Sequence, residues 1–268
     1  MKRLDKQYYN KVIEPLKLVT INNLFARSVV EQKVEGEIFV DNIKDPKTFY
    51  VIHPYGMSLL FGNFDNETFN SEFKEYVLNT NHNRKGDEWM QVFPTDWEQV
   101  LKDLFNDIPS NIVEFNTRTN FNLNIDKYFD TKSMREKADP LVRIARTDKE
   151  TCESIKGTVI PLKFWNGSAD FVENGVGFSS FYNGELASTA FSAFIHDNKL
   201  ELGIETSEEF KGKGLAYKTC SALIDYCIEN KLEPLWACRS DNTGSYKLAE
   251  TLGFEKSIET AYYKLGVK

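Results

Sequence analysis

The sequence is poor in the groups on which several kinds of chemistry depend. It has three histidines and four cysteines in 268 residues. Cys152, Cys220, Cys227 and Cys238 show neither CxxC pairing nor a framework spacing, so no metal site and no disulfide scaffold is predicted. The thiols are read as reduced and mostly buried. Positive charge is also in deficit: 33 Lys and Arg against 40 Asp and Glu leave a net charge of −7, which argues against nucleic acid as the main partner. No apolar run approaches the roughly 18 residues of a membrane span. The N-terminal MKRLDKQYYNKV has no apolar segment behind its basic residues. A soluble protein without a membrane partner, held in the cytoplasm, is the expectation. Low-complexity tracts are missing too. What is present is apolar material for folded cores: 41% hydrophobic residues, 13% of the chain being aromatic.

The length fits one large domain or two ordinary ones, and patterning favours two α+β lobes. The charged run TKSMREKADP, Thr131 to Pro140, is the expected linker, giving an N-terminal lobe over 1–135 and a C-terminal lobe over 136–268. In the first lobe a helix from Pro15 to Val30 precedes strands at EGEIFVDN, KTFYVIHP and MSLLFGN. Helices at ETFNSEFKEYVL and DWEQVLKDLF, the second capped by Asp96, flank the strand EWMQVFPT, and strands near NIVEFNT and NFNLNI close the lobe. In the second, LVRIART is a strand and SADFVENG a helix capped by Ser168 and ended by Gly175. VGFSSFY and ELASTAFSAFI flank Asn183-Gly184, a strong hairpin signal, and LELGIET follows. Ala216, Cys220, Leu223, Ile224, Cys227 and Ile228 then recur at helical spacing. Strand EPLWACR, helix DNTGSYKLAETLGF and strand KSIETAYYKL complete the chain. The two lobes share this order of elements, as an internal duplication would.

The informative segment is strand LELGIET, loop SEEFKGKG and helix LAYKTCSALIDYC. Lys211, Gly212, Lys213 and Gly214 lie where a strand hands over to a helix N-terminus. Free main-chain N–H groups and the helix dipole there attract phosphate, and a pyrophosphate fits best. A Walker loop needs GxxxxGK, which is absent. A dinucleotide fingerprint puts its third glycine at Tyr217, and a nicotinamide-dependent enzyme would also need parallel strands where the hairpin signal stands. For the hexapeptide alone, a Gly/Lys surface turn is the plain alternative.

Lys211-Gly212-Lys213-Gly214-Leu215-Ala216 resembles the Q/R-x-x-G-x-G/A acyl-CoA loop of the GNAT N-acetyltransferases, with Lys at its first position. The resemblance runs from about Val142 to Leu265. The pattern ELGIET…FKGKGLA…P-x-W…N-x-x-S…LAE-x-LGF is similar to the branch grouped with the zwittermicin A resistance acetyltransferase. The resemblance implies that the main chain of Lys211, Gly212, Lys213, Gly214, Leu215 and Ala216 holds the pyrophosphate of acetyl-CoA, the cosubstrate. It implies that Ile204 and Thr206 pair with the pantetheine arm through main-chain groups, and that Asn242 and Ser245 line that arm. Donors around Ile204 and Glu205 would polarise the thioester carbonyl. The family's general acid, a tyrosine four residues before the glycine of LGF, is here Ala249, which leaves Tyr246, water or no acid.

Acetylation of an amine needs a base, because an alkyl ammonium must lose a proton before it attacks. Glu201 and Glu205 alternate with Leu202 and Ile204 and are the candidates, a solvated strand face being the alternative. Cys238 is read as a buried thiol and not an acyl acceptor, and Phe164, Trp165 and Phe178 as core or acceptor pocket. The sequence thus predicts an α+β protein whose C-terminal lobe is a GNAT fold, acting as an acyltransferase on a primary amine of a small molecule. The N-terminal lobe is a degenerate copy without a CoA loop, left to shape the acceptor site or to form a homodimer interface. The rival is a non-catalytic acyl-CoA-binding sensor, which binds CoA without turnover.

Overall fold

A computed structural model describes residues 1–135 and 139–267, and the fold is α+β. A short strand β1 (Lys2–Arg3) precedes helices α1 (Asn10–Lys17) and α2 (Leu24–Val30). The single helix expected from Pro15 to Val30 is therefore broken. Between the two, Asn23 turns its Nδ2 onto the carbonyl of Val19 at 2.9 Å, a local bond that competes with a continuous helix. Strands β2 (Glu37–Val40), β3 (Thr48–Ile52) and β4 (Met57–Gly62) are antiparallel neighbours. Helix α3 (Glu67–Leu78) then carries the chain to β5 (Glu88–Phe93), which runs parallel to β4. In α4 (Asp96–Leu104) Asp96 is the first helical residue, and Thr95 occupies the cap position. The two strands expected next are one, β6 (Val113–Leu123), followed by α5 (Ile125–Arg135). That helix occupies the start of the expected linker; residues 136–138 lie outside the described residues.

The second half follows the expected order closely. It comprises β7 (Val142–Arg146), α6 (Lys149–Ser154), α7 (Ser168–Asn174), β8 (Gly177–Tyr182), β9 (Glu185–His196) and β10 (Lys199–Thr206), then α8 (Leu215–Glu229), β11 (Glu233–Arg239), α9 (Thr243–Thr251) and β12 (Phe254–Leu265). Strands β7 to β10 are antiparallel in sequence order, and β11 is parallel to β10. At the β8–β9 turn Asn183 and Gly184 have φ of 52° and 88°, the left-handed pair that a two-residue hairpin requires. Ser168 does not cap α7: Gly167 holds the cap position, and the Ser168 hydroxyl donates to Glu153 at 2.6 Å.

Packing gathers the chain into two compact units, 1–118 with 259–268, and 119–258. This division differs from the expected boundary between 135 and 136. Tyr262–Leu265 of β12 pair antiparallel with Glu88–Gln91 of β5, which brings the C-terminus into the first unit. Residues 119–123 of β6 belong to the second unit, where β6 is the neighbour of β11. Each half of the sequence thus closes its sheet with the last strand of the other half. Arg84, 5% exposed, secures the C-terminal strand by donating to the carbonyls of Tyr76, Val77, Leu265 and Gly266 at 2.6–3.2 Å.

In the first unit α3 and α4 bury Phe69, Phe73, Val77, Trp97 and Leu101 against Tyr50, Leu60, Met90 and Tyr263 of the sheet. In the second, Cys220, Leu223, Ile224 and Cys227 of α8 pack on Leu200, Leu202, Trp236 and Phe254. Helix α5 joins this core through Tyr128, whose hydroxyl donates to Asp225 at 2.7 Å, while Lys132 pairs with the same carboxylate at 2.6 Å. No helix among the described residues is long and apolar enough to cross a membrane.

Arg84→Met should destabilise the protein by about 2–4 kcal/mol in urea titration, because it leaves buried carbonyls unpaired. Unchanged stability would remove the role given to this side chain.

Candidate functional site

The site is built where β10 leaves β11. Their parallel register covers only Lys199–Glu201 against Glu233–Leu235, while β9 stays paired with β10 as far as Thr206. A bulge in β9, where Ala193 is the extra residue opposite Glu201 and Leu202, marks the parting. Beyond it lies a cleft of about 590 Å³. Ile204, Glu205 and Thr206 form one wall, Lys211, Gly212 and Gly214 to Tyr217 another, and Asn242, Gly244, Ser245, Lys247, Leu248 and Thr251 a third. The structure therefore brings together most of the residues expected from sequence.

The loop is open to an anion. Gly212 and Gly214 have φ of 76° and 75°, a conformation that β-carbons disfavour, and a Cβ built on either meets nothing within 4 Å. Gly214 occupies the cap position of α8 without a side-chain cap, so the first-turn N–H groups keep their capacity for a ligand. Lys211 reaches back to Glu208 at 2.5 Å. Lys213 is not among the lining residues; its Nζ lies 5.3 Å from the ring centroid of Tyr182. Asn242 caps α9 by accepting the N–H of Ser245 at 3.2 Å, and the Ser245 hydroxyl accepts from Trp236 Nε1 at 3.1 Å. Both side chains are thus fixed at the cleft wall.

The two glutamates have different surroundings. Glu205 lines the cleft, and its Oε2 accepts the main-chain N–H groups of Thr158 and Val159, each at 2.8 Å. Gly157 permits this approach: its φ is 139°, and a Cβ there would stand 2.4 Å from that carboxylate. Glu201 is 5% exposed and sits at the last paired residue before the parting. Its neighbours Leu200 and Leu202 belong to the core under α8, so Glu201 is on the opposite face.

Tyr246 is not among the lining residues. It is half-buried, its ring packed edge-on against Phe121 at 5.0 Å. Ala249 is fully buried. Phe164 packs with Phe191 and Phe194 at 5.5 Å each, Trp165 donates to the carbonyl of Ser192 at 2.8 Å, and Phe178 meets Tyr226. Phe164 is buried, whereas Trp165 and Phe178 are half-buried. Sequence reading missed Arg135, Tyr217, Lys247, Leu248 and Thr251 at the cleft. The spacing of Gly244, Lys247, Leu248 and Thr251 on one helical face was the available signal for α9. Nothing local marks Arg135.

The four cysteines are buried, and burial pushes the thiols of Cys152 and Cys227 up to about 11 and about 12. Among the described residues no cluster of His, Cys, Asp and Glu could hold a metal ion.

Comparison with known proteins gives the family and the fold. A family model described as GNAT acetyltransferase matches residues 16–263. The uncharacterized N-acetyltransferase YdfB of Bacillus subtilis (strain 168) is 28% identical over 242 residues, 89% of each chain. A GCN5-related N-acetyltransferase-like protein from Streptococcus suis 89/1591 has the same fold, with a TM-score of 0.72 at 16% identity over 96% of this chain and 99% of that one. A tandem GNAT protein from the clavulanic acid biosynthesis pathway matches at a TM-score of 0.64 and 10% identity, over 99% of this chain and 97% of the other.

Ellman's reagent should find almost no reactive thiol in the native protein and four after denaturation. Rapid labelling of the native state would contradict the burial of these residues.

Proposed function

The chain belongs to the GNAT acetyltransferase family, and from that premise we propose that its second unit carries acetyl-CoA, the family's cosubstrate, in the cleft beside β10 and passes the acetyl group directly to a primary amine of a small molecule. The observation that carries this reading is the parting of β10 from β11 after Glu201, beside a glycine loop and an uncapped helix N-terminus. The residues present fit the cosubstrate. Space lies open in front of Gly212 and Gly214, where the N–H groups of the loop and of Leu215 and Ala216 would hold a pyrophosphate. Main-chain groups of Ile204 and Thr206, with β9 on one side only, are available to a pantetheine arm. Asn242 and Ser245 would close the opposite wall. Acetyl-CoA supplies an acyl group already activated as a thioester.

We assign Glu201 as the general base that takes the proton from the acceptor ammonium. It is buried at the point of parting, on the sheet face away from the α8 core. Glu205 is given the positioning role, since its carboxylate is engaged by the 158–159 main chain. Donors around Ile204 and Glu205 polarise the carbonyl. No side-chain acid is assigned to the departing thiolate: Ala249 has none to offer, and Tyr246 is packed on Phe121.

The first unit is read as a GNAT copy without an acyl-CoA site. Its β4 and β5 stay paired across Met57–Phe61 and Trp89–Phe93, so the equivalent parting is closed. Its helix α3 is capped from within by Asn66, whose Oδ1 accepts the Phe69 N–H at 3.0 Å while its Nδ2 donates to Asp41 at 3.2 Å. The likeness of ELGIET and LAE-x-LGF to the zwittermicin A resistance branch supports an aminopolyol-type amine as the acceptor.

Gly214→Val should reduce acetyl-CoA affinity at least about tenfold in calorimetric titration, with the circular dichroism spectrum unchanged. Full affinity in the folded variant would refute the placement of the pyrophosphate. Glu201→Gln should lower amine-dependent CoA release by about a hundredfold or more while acetyl-CoA affinity holds. Release at the wild-type rate would remove Glu201 as the base. Acetyl-CoA binding with no CoA release on any primary amine of a broad panel would make the protein a sensor.

A further inference from the structure

Arg135 and Lys247 line the cleft, but nothing said so far uses them. Their positions are set by the fold. Helix α5, which ends at Arg135, is held to α8 by Tyr128 and Lys132 through Asp225. It is held to the end of α9 by the close approach of Gly253, whose φ is 85° and whose added Cβ would stand 2.6 Å from the Tyr128 nitrogen. The Arg135 guanidinium carbon lies 5.9 Å from the ring centroid of Tyr217 in the first turn of α8. Lys247 belongs to the face of α9 that meets the cleft, between Gly244 and Thr251.

The charged groups of the cleft differ in how they are satisfied. Glu205 is engaged by main-chain N–H groups, and Lys211 is paired with Glu208. Arg135 and Lys247 form no ion pair among the described residues. Two cations with no carboxylate partner among the described residues, lining one cleft of a chain whose net charge is −7, point to a subsite for an anion. CoA carries two anionic groups: the pyrophosphate, already matched by the 211–216 loop, and a 3′-phosphomonoester on the ribose. A phosphomonoester is close to dianionic at neutral pH, and the guanidinium fork matches its oxygens in pairs.

We propose that Arg135 and Lys247 form the subsite for the 3′-phosphate of CoA and make the cleft selective for CoA thioesters over their dephospho forms. The proposal rests on the acyl-CoA reading of the cleft and extends it to a residue outside the glycine loop and its two flanking elements. Arg135 leads; Lys247 adds charge without the paired geometry.

The test is calorimetric titration of the full chain with CoA and, separately, with 3′-dephospho-CoA, for wild type, Arg135→Ala, Arg135→Lys and Lys247→Ala. Wild type should prefer CoA at least about tenfold. Arg135→Ala should lose most of that preference while binding dephospho-CoA as wild type does, which also shows that the variant is folded. Arg135→Lys should recover part of it, and Lys247→Ala should lose a smaller part. Equal wild-type affinities for the two ligands, or a preference that survives Arg135→Ala, would overturn the subsite and leave the acyl-CoA reading standing. Failure of wild type to bind either ligand would overturn the acyl-CoA reading, and the subsite with it.

Discussion

Strand β10 pairs with β11 only as far as Glu201, and the site depends on that limit. Parallel strands that continue in register satisfy each other's main-chain groups. Here β9 takes up an extra residue, Ala193, opposite Glu201 and Leu202 and stays the partner of β10, whose other edge turns to a cleft. The consequences are local but coupled. The edge residues Ile204 to Thr206 become available to an extended ligand, the helix that follows starts beside them, and the sheet face with Glu201 lies at the fork. Gly203 helps to hold this arrangement, because a Cβ there would stand 2.5 Å from the ring of Phe191 and that ring anchors the aromatic core on the far face.

The first half of the chain shows what the same order of elements does without that limit. Strands β4 and β5 run together over five residues, from Met57 against Trp89 to Phe61 against Phe93. The helix between them spends its first-turn N–H on its own Asn66. Under the proposed reading, the difference between a binding lobe and a structural one comes down to strand register and helix capping. Neither half is a complete sheet on its own, since β5 takes its outer partner from the C-terminal strand and β11 takes its own from β6. An unpartnered strand edge is a liability, and the exchange of terminal strands removes one from each half.

Much of this was legible in the sequence because it is written in local chemistry. Alternation gave β8 to β10, Asn183-Gly184 gave the hairpin, and the spacing of Cys220, Leu223, Ile224 and Cys227 gave the buried face of α8. The loop from Lys211 to Ala216 was legible because glycines, a preceding strand and a following helix stand together. The features that escaped are long-range. The exchange of β6 and β12 leaves no periodic mark, so a boundary drawn on composition at 135/136 misses it. Helix α5 buries only Tyr128 and therefore reads as a polar linker, which hid Arg135 from the candidate site. The parting after Glu201 is a matter of register between strands about 30 residues apart, which alternation within one strand does not encode.

The central claim is that the cleft beside β10, and not its counterpart in the first half, is where acetyl-CoA lies. Amide hydrogen exchange with and without acetyl-CoA tests it most directly. The account predicts slowed exchange at Ile204–Thr206 and across 212–217, with Met57–Phe61 and the start of α3 unchanged. Protection confined to the first half, or none at residues 204–217 under saturating acetyl-CoA, would contradict it.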